Sequence, residues 1–347
     1  NRINNKSSYL DVIEKNLSGI GFENSWAILQ IGKGRESWGA GNNIELALSN
    51  NSNPYDYFML ASDYGKIRVK YVHGFLESVS ENINRYILGK GIEWTNKESL
   101  IFSLSEIIIY SGKNRPLDIG YLNPLSSHLE VELNNRLNIN TGMYANAIWQ
   151  LSMDWRATKN LRLSANLLFD EFVIDDIEKQ NGKEHGKAYS TRLAYTPNIY
   201  KRAIITSFID YTNVGTPTFR HGTGTNNFVQ RGSPLGWNEG SDGHKLRFGI
   251  NYFNRKNLII STSSSVLKTG SENITERVYE PYKDYIEGTF PSGNLYEAFS
   301  LDAKLQWWRK PNIAYSTYIQ FYIEDNNPLR FDYLLSLNYY FLKNNNI

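Results

Sequence analysis

The sequence contains no cysteine. Disulfide staples, thiolate metal sites and thiol nucleophiles are therefore excluded. Histidine is scarce, with five residues in 347, which leaves little material for a nitrogen-ligated metal centre. Long hydrophobic runs are missing as well: wholly apolar stretches stop at about four or five residues, as at Ile107-Ile108-Ile109-Tyr110 and Tyr57-Phe58-Met59-Leu60-Ala61. A membrane helix needs about 20 consecutive apolar residues, so none is encoded. The mean hydropathy of −0.47 is hydrophilic. A membrane β-barrel is compatible with such a value, because its strands alternate polar and apolar residues and average out in any window. An excess of one charge is also lacking, since 37 Lys and Arg against 35 Asp and Glu leave +2. Global electrostatics thus gives no argument for nucleic acid. Residues 1 to 25 show no basic start followed by an apolar core, so no secretory signal is visible. That stretch reads as the remnant of a preceding loop or N-terminal region.

Aromatic residues are plentiful. The 24 Tyr equal the 16 Phe and 8 Trp together, an excess that suits surfaces apolar at one end and wet at the other. The strongest pattern is alternation with period two. Met143, Ala145, Ala147, Trp149, Leu151, Met153 and Trp155 form one face; Tyr144, Asn146, Ile148, Gln150, Ser152 and Asp154 form the other. The same holds for Leu161 to Asp170, Leu246 to Tyr252, Leu295 to Trp307, Ile313 to Glu324 and Leu329 to Phe341. On the segment from Arg85 to Trp94, Lys90 is an exception on the outward, apolar face. About fourteen segments fit the strand template well. Weaker candidates near 26–33, 44–49 and 55–61 raise the count to sixteen or eighteen.

Segment length separates two all-β classes. Strands of soluble domains average about five or six residues, whereas membrane-spanning strands need about 9–11. Most segments here run to ten or more. Trp94, Tyr110, Trp155, Trp307, Tyr339 and Phe341 cluster near segment ends, as an aromatic girdle requires. Connections alternate between short polar turns and long segments rich in Gly, Asn, Ser and Thr, namely 34–54, 111–141, 215–243 and 269–293. Pro124 to Leu133 reads as a short helix. The expectation is one domain over 1–347: a closed antiparallel transmembrane β-barrel of about sixteen to eighteen strands, in a bacterial outer membrane, with long extracellular loops. Its first partner is then the lipid bilayer.

Particular residues add a resemblance. Gly34-Arg35 with Trp38-Gly39-Ala40-Gly41 forms a GR…WGxG element. Asn53-Pro54-Tyr55, Arg85-Tyr86-Ile87, Gly89, Glu93-Trp94, Leu104-Ser105-Glu106, Asp118, Tyr121-Leu122-Asn123-Pro124, Leu168-Phe169-Asp170-Glu171-Phe172 and Gly232-Ser233-Pro234-Leu235-Gly236 follow in order. Together, over roughly 26–342, these resemble the capsule assembly protein Wzi family. The resemblance implies an outer-membrane barrel of about eighteen strands that acts as a surface lectin, holds capsular polysaccharide and performs no catalysis.

Sugar binding needs flat aromatics that stack on C–H faces and planar polar groups that pair with hydroxyls. In the long loops Arg35, Trp38, Tyr121, Arg220, Asn226, Asn227 and Trp237 supply both kinds. Trp38 and Arg35 lead, because Gly34, Gly39 and Gly41 let the backbone pass close to a ligand or a wall. The opposing reading is that these side chains pack the loops into a plug. A basic strip of Lys66, Arg68 and Lys70, with Arg85 on the next strand, faces the expected lumen. In a narrow channel it would favour an acidic polymer, or else pair internally with Glu93, Asp154 or Asp170. Asp170 and Glu171, adjacent on a strand, point to opposite faces and cannot form a dyad. Asp175-Asp176 reads as solvated turn charge, and no GxSxG or Walker-type loop is present. No cofactor, metal or enzymatic activity is expected. Two alternatives stand beside polysaccharide retention: a porin or substrate-selective channel, and a plugged component of an outer-membrane secretion or adhesion complex with protein partners.

Overall fold

The computed structural model describes residues 18–123, 126–128, 145–171, 185–198, 202–280, 290–324 and 329–339. Its strands are β1 (Ser18–Glu23), β2 (Ala27–Gly34), β3 (Tyr55–Asp63), β4 (Ile67–Leu76), β5 (Ile83–Thr95), β6 (Leu100–Lys113), β7 (Ala145–Trp155), β8 (Leu161–Glu171), β9 (Gly186–Tyr195), β10 (Ile204–Val214), β11 (Val229–Gln230), β12 (Ser233–Pro234), β13 (Gly243–Phe253), β14 (Leu258–Thr269), β15 (Tyr296–Lys310), β16 (Ile313–Glu324) and β17 (Arg330–Tyr339). One short helix, α1 (Ile119–Leu122), is capped by the Asp118 carboxylate, which accepts from Gly120 N at 2.9 Å. No helix among the described residues is long and apolar enough to cross a membrane.

Fifteen strands form one antiparallel sheet, each beside its neighbour in sequence, while β11 and β12 pair as a separate ribbon. The register keeps two kinds of row apart. One runs Leu163, Leu193, Ile209, Phe248, Ser264, Leu301, Phe321, Phe331 from β8 to β17. The next runs Ser164, Arg192, Asp210, Arg247, Ser265, Ser300, Tyr322, Arg330. The first row faces outward, with Leu193, Ile209, Phe248, Leu301, Phe321 and Phe331 exposed; the polar row faces the long loops that the sheet wraps around. Alternation in sequence thus becomes an apolar outside and a polar inside.

Connections alternate as the sequence implied. One end carries short turns built on a repeated device. Asn24 Oδ1 accepts from Trp26 N and Ala27 N, Asn96 Oδ1 from Glu98, Ser99 and Leu100 N, and Asn254 Oδ1 from Lys256, Asn257 and Leu258 N. A side-chain carbonyl that caps its own turn in this way closes a hairpin without further packing. Trp94, Trp155, Trp307 and Tyr339 are exposed near that end.

Several expectations change. Residues 44–49 form no strand; they contribute one isolated bridge, Trp38 to Leu48. Ser18–Glu23, read as part of a remnant, is strand β1. Seventeen strands are present among the described residues, within the expected sixteen to eighteen; fifteen of them form the wall, where β1 and β17 are edges. Tyr110 is fully buried, not part of an exposed girdle. The helix expected over Pro124 to Leu133 lies, apart from Ser126, Ser127 and His128, outside the described residues, as do Asp175-Asp176 and Phe341.

Candidate functional site

The inside of the wall is filled by loops, and the first of these leaves β2 at Gly34. Gly39 and Gly41 take φ of +125° and +80°, a region where a side chain is strained. They also sit against the wall: a Cβ on Gly39 would lie 2.8 Å from Asn166 Oδ1, and one on Gly41 would lie 3.0 Å from Ser164 Cβ. The close approach is therefore to β8, across the interior from β2. Asn166 accepts from Ala40 N at 2.7 Å and donates to Ala40 O, Ile44 O and Ser190 Oγ. Gln150 of β7 donates to Trp38 O and accepts from Ala47 N, both at 3.2 Å. Arg192 of β9 donates to Asn42 O. These wall side chains satisfy loop carbonyls and amides that would otherwise be buried without partners.

Trp38 lies flat on a glycine floor. A Cβ on Gly91 would be 2.9 Å from its ring, and one on Gly89 would be 3.2 Å from it. Glu36 accepts from the indole N–H at 3.2 Å and from the Lys70 ammonium, which also sits 5.4 Å from the ring centre. The loop between β10 and β13 stacks on top. Ser49 N donates to Leu235 O and Trp237 N to Leu46 O, while Ser49 Oγ donates to Gly236 O. Arg85 of β5 rises from the wall as a strut. Its guanidinium donates to the carbonyls of Thr225, Asn227 and Val229, and pairs with Glu77 at 3.1 Å. Buried Asp242 accepts from Thr216 Oγ1, Ser292 N and Ser292 Oγ, tying this layer to the loop that follows β14. Trp38, Leu46, Leu48, Leu235 and Trp237 share one apolar cluster with wall residues Ile87, Ile107, Ile148 and Leu168.

The loops leave two cavities beside β1 to β6. One, of about 460 Å³ at the short-turn end, is lined by Trp38, Asp63, Arg68, Lys70, Glu93 and Ser105 among others. Arg68 bridges Asp63 at 2.9 Å and Glu93 at 3.0 Å. The other, of about 490 Å³ at the long-loop end, is lined by Gln30, Lys33, Arg35, Asn50 and Tyr57 with the glycines of β1. Arg35 Nη1 donates to Asn50 O at 2.9 Å, and its Nε is shielded with no partner.

The structure therefore divides the sequence-predicted residues. Trp38, Arg68 and Lys70 meet in the first cavity, and Arg35 lines the second. Lys66 is exposed near the short-turn end. Arg85, Asn226, Asn227, Arg220 and Trp237 are buried in the loop layers, Arg220 against Glu272 at 2.7 Å. Tyr121 lies elsewhere, packed on Tyr110 on the outward side of β6. Asp170 accepts from Phe219 N, and Asp154 pairs with Arg162 at 2.5 Å. Among the described residues no group of three or more His, Asp or Glu could hold a metal ion. Sequence reasoning missed Glu36, Gln150, Asn166 and Asp242. Their only signal was a carboxylate or amide at an inward position or beside a loop glycine, a signal that many solvated residues share.

No family model matches the chain, and no curated protein matches it. Solved structures do. The Escherichia coli outer-membrane protein Wzi, described as involved in group 1 capsule assembly and as a carbohydrate-binding β-barrel, superposes with a TM-score of 0.66 at 12% identity, over 90% of this chain and 66% of that one. Pseudomonas aeruginosa OprD superposes with a TM-score of 0.52 at 10% identity, over 93% and 78%. The chain spans about two thirds of the length of Wzi. The likeness shows the fold, an all-β antiparallel sheet of the outer-membrane barrel type.

Proposed function

We propose that the sheet is the wall of a closed barrel in a bacterial outer membrane, and that the protein retains a capsular or other extracellular polysaccharide at the long-loop end without catalysis. One observation carries this reading: the interior is packed with loops tied to both sides of the wall, through Arg85 on β5 and Gln150, Asn166 and Arg192 on β7 to β9. A solute path would need that packing to part, whereas a binding surface needs it to hold still. The seat for the polymer is the cavity around Arg35, where a cation, the Gln30 and Asn50 amides and the Tyr57 ring converge. Arg35 and Lys33 suit an acidic polymer there. Arg68 and Lys70, already paired with carboxylates, serve the wall. Arg35→Ala should lower retention of an acidic capsular polysaccharide by about tenfold, the worth of a charge-assisted hydrogen bond. Unchanged retention on cells with normal surface levels of the variant would overturn this assignment.

A second reading, a substrate-selective channel, is favoured by the two cavities left beside β1 to β6, each lined by charged side chains. Single-channel conductance in a planar bilayer decides between the two. Steps no larger than the bilayer background fit the retention role, and large open-state steps fit the channel.

A further inference from the structure

The outward side of the wall changes character in one sector. Counted from the aromatic at the short-turn end, the outward positions of β15 are Trp307, Leu305, Ala303, Leu301 and Phe299. Five outward positions span nine residues, about the length a strand needs to cross hydrocarbon. The matching positions of β5 are Trp94, Ile92, Lys90, Leu88 and Tyr86. Lys90 thus occupies the middle of the span, opposite Glu106 of β6, with Nζ 2.8 Å from Oε2. A bare ion pair facing acyl chains at that depth is strongly unfavourable.

It is not bare. Ile92 and Leu104, one position towards the short turns, are 46% and 47% exposed, whereas Leu88 and Ile108, one position beyond the pair, are both 0% exposed. The segment following β6 covers them from outside. Tyr121 stacks on Tyr110 at 4.6 Å, and buried Arg115 sits 4.6 Å over the same ring. Tyr71 OH donates to Tyr121 O, and Tyr86 OH to Arg115 O at 2.8 Å. Lys90 donates to Ser126 O, and His128 N donates to Glu106 Oε1. On the same outward surface His73, 0% exposed, joins Tyr71 and Tyr110 through its two ring nitrogens.

We infer that residues 115–123 and 126–128 form a shield that takes the place of lipid against the outer surface of β4 to β7. Over the half of this sector nearer the long loops lipid chains meet the shield, at Leu117 for example, and reach the strands only at Phe75, which stays exposed at the end of β4; in the other half they meet the strands directly. The inference rests on the membrane placement proposed above. It goes beyond it, because an ordinary barrel would offer lipid the full height of every strand.

Mass spectrometry after photolabelling of the unmodified protein in liposomes, with a diazirine on a phospholipid acyl chain, tests it. Label is expected on Phe299 to Trp307, Ile92 to Trp94 and Phe102 to Leu104. At least tenfold less is expected on Tyr86 to Leu88 and Ile108 to Tyr110. Comparable labelling of these two groups would overturn the shield while leaving the membrane placement intact. Absence of label from β15 as well would remove the membrane placement, and the shield with it.

Discussion

Lys90 and Glu106 face each other across β5 and β6 on the outward surface, each almost sealed from solvent. Taking two charges out of water costs more than their attraction returns unless further hydrogen bonds complete them, and here Ser126 O and His128 N do so. Breaking the pair is therefore worse than replacing it. Glu106→Leu alone should cost roughly 3–5 kcal/mol, while Lys90→Met with Glu106→Leu should lie close to the parent or above it. Urea-induced unfolding of the liposome-inserted protein measures both. A double variant as unstable as the single one would contradict the argument.

Trp38 depends on what lies beneath it. A side chain at Gly91 would meet the indole ring at 2.9 Å, with no room behind, because Leu104 O lies 3.2 Å away. Gly91→Val should cost about 1–3 kcal/mol through overpacking, and Trp38→Ala about 3–5 kcal/mol through the cavity left behind. Both should also loosen the loop from the wall. The expected readout is a rise in single-channel conductance and faster protease cleavage within residues 35–54.

Asn166 alone holds Ala40 N and Ala40 O, and it shares Ile44 O with the Ser190 hydroxyl. Asn166→Ala leaves loop groups buried without partners, at about 1–3 kcal/mol for each such group. Asn166→Asp keeps the acceptor for Ala40 N, but it places a carboxylate against two carbonyl oxygens and should be worse. Thermal unfolding followed by far-UV circular dichroism gives the order: parent, then Ala, then Asp. An Asp variant equal to the parent would show that the loop is not held through this amide.

Tyr279 sits in the loop after β14 with its hydroxyl on the Glu77 carboxylate, which also pairs with Arg85. Burial first, and then the nearby carboxylate, push its phenol up to about 12. The unfolded phenol titrates near 10. Because the folded value is the higher one, the folded state holds the proton more tightly between these limits. The stability it confers is complete below about pH 10 and is lost as pH rises towards 12. Absorbance titration at 295 nm of the parent minus Tyr279→Phe should show one phenol ionising well above 10. A difference curve centred at 10 would mean that the loop does not dock in this way.

Much of the wall was legible because burial on one side of a strand leaves a mark on every second residue. The rows through Leu193, Phe248 and Phe321 follow directly from that mark. Near the loops the mark fails for physical reasons. Tyr110 satisfies an outward aromatic pattern, yet stacking by Tyr121 buries it, and nothing local in sequence announces a cover arriving from eleven residues away. Ile44 to Leu48 looks like a short strand because only Glu45 interrupts its apolar residues, but Leu46, Ala47 and Leu48 serve loop packing rather than a ladder. Lys90 stood out as an anomaly, and its explanation is a tertiary contact. Among the site residues, glycines with positive φ gave Trp38 and its loop away. The amides that receive the loop, Gln150 and Asn166, look like any other inward polar residue.

The edges of the sheet carry one more consequence. Every step from strand to strand reverses direction, and the wall has fifteen strands, an odd number, among the described residues. β1 and β17 therefore point the same way. If they join directly, the seam is the single parallel ladder of the cylinder, with slanted and slightly weaker hydrogen bonds than anywhere else around it. A seam of the same kind as all the others requires one further strand, or three, to stand between them.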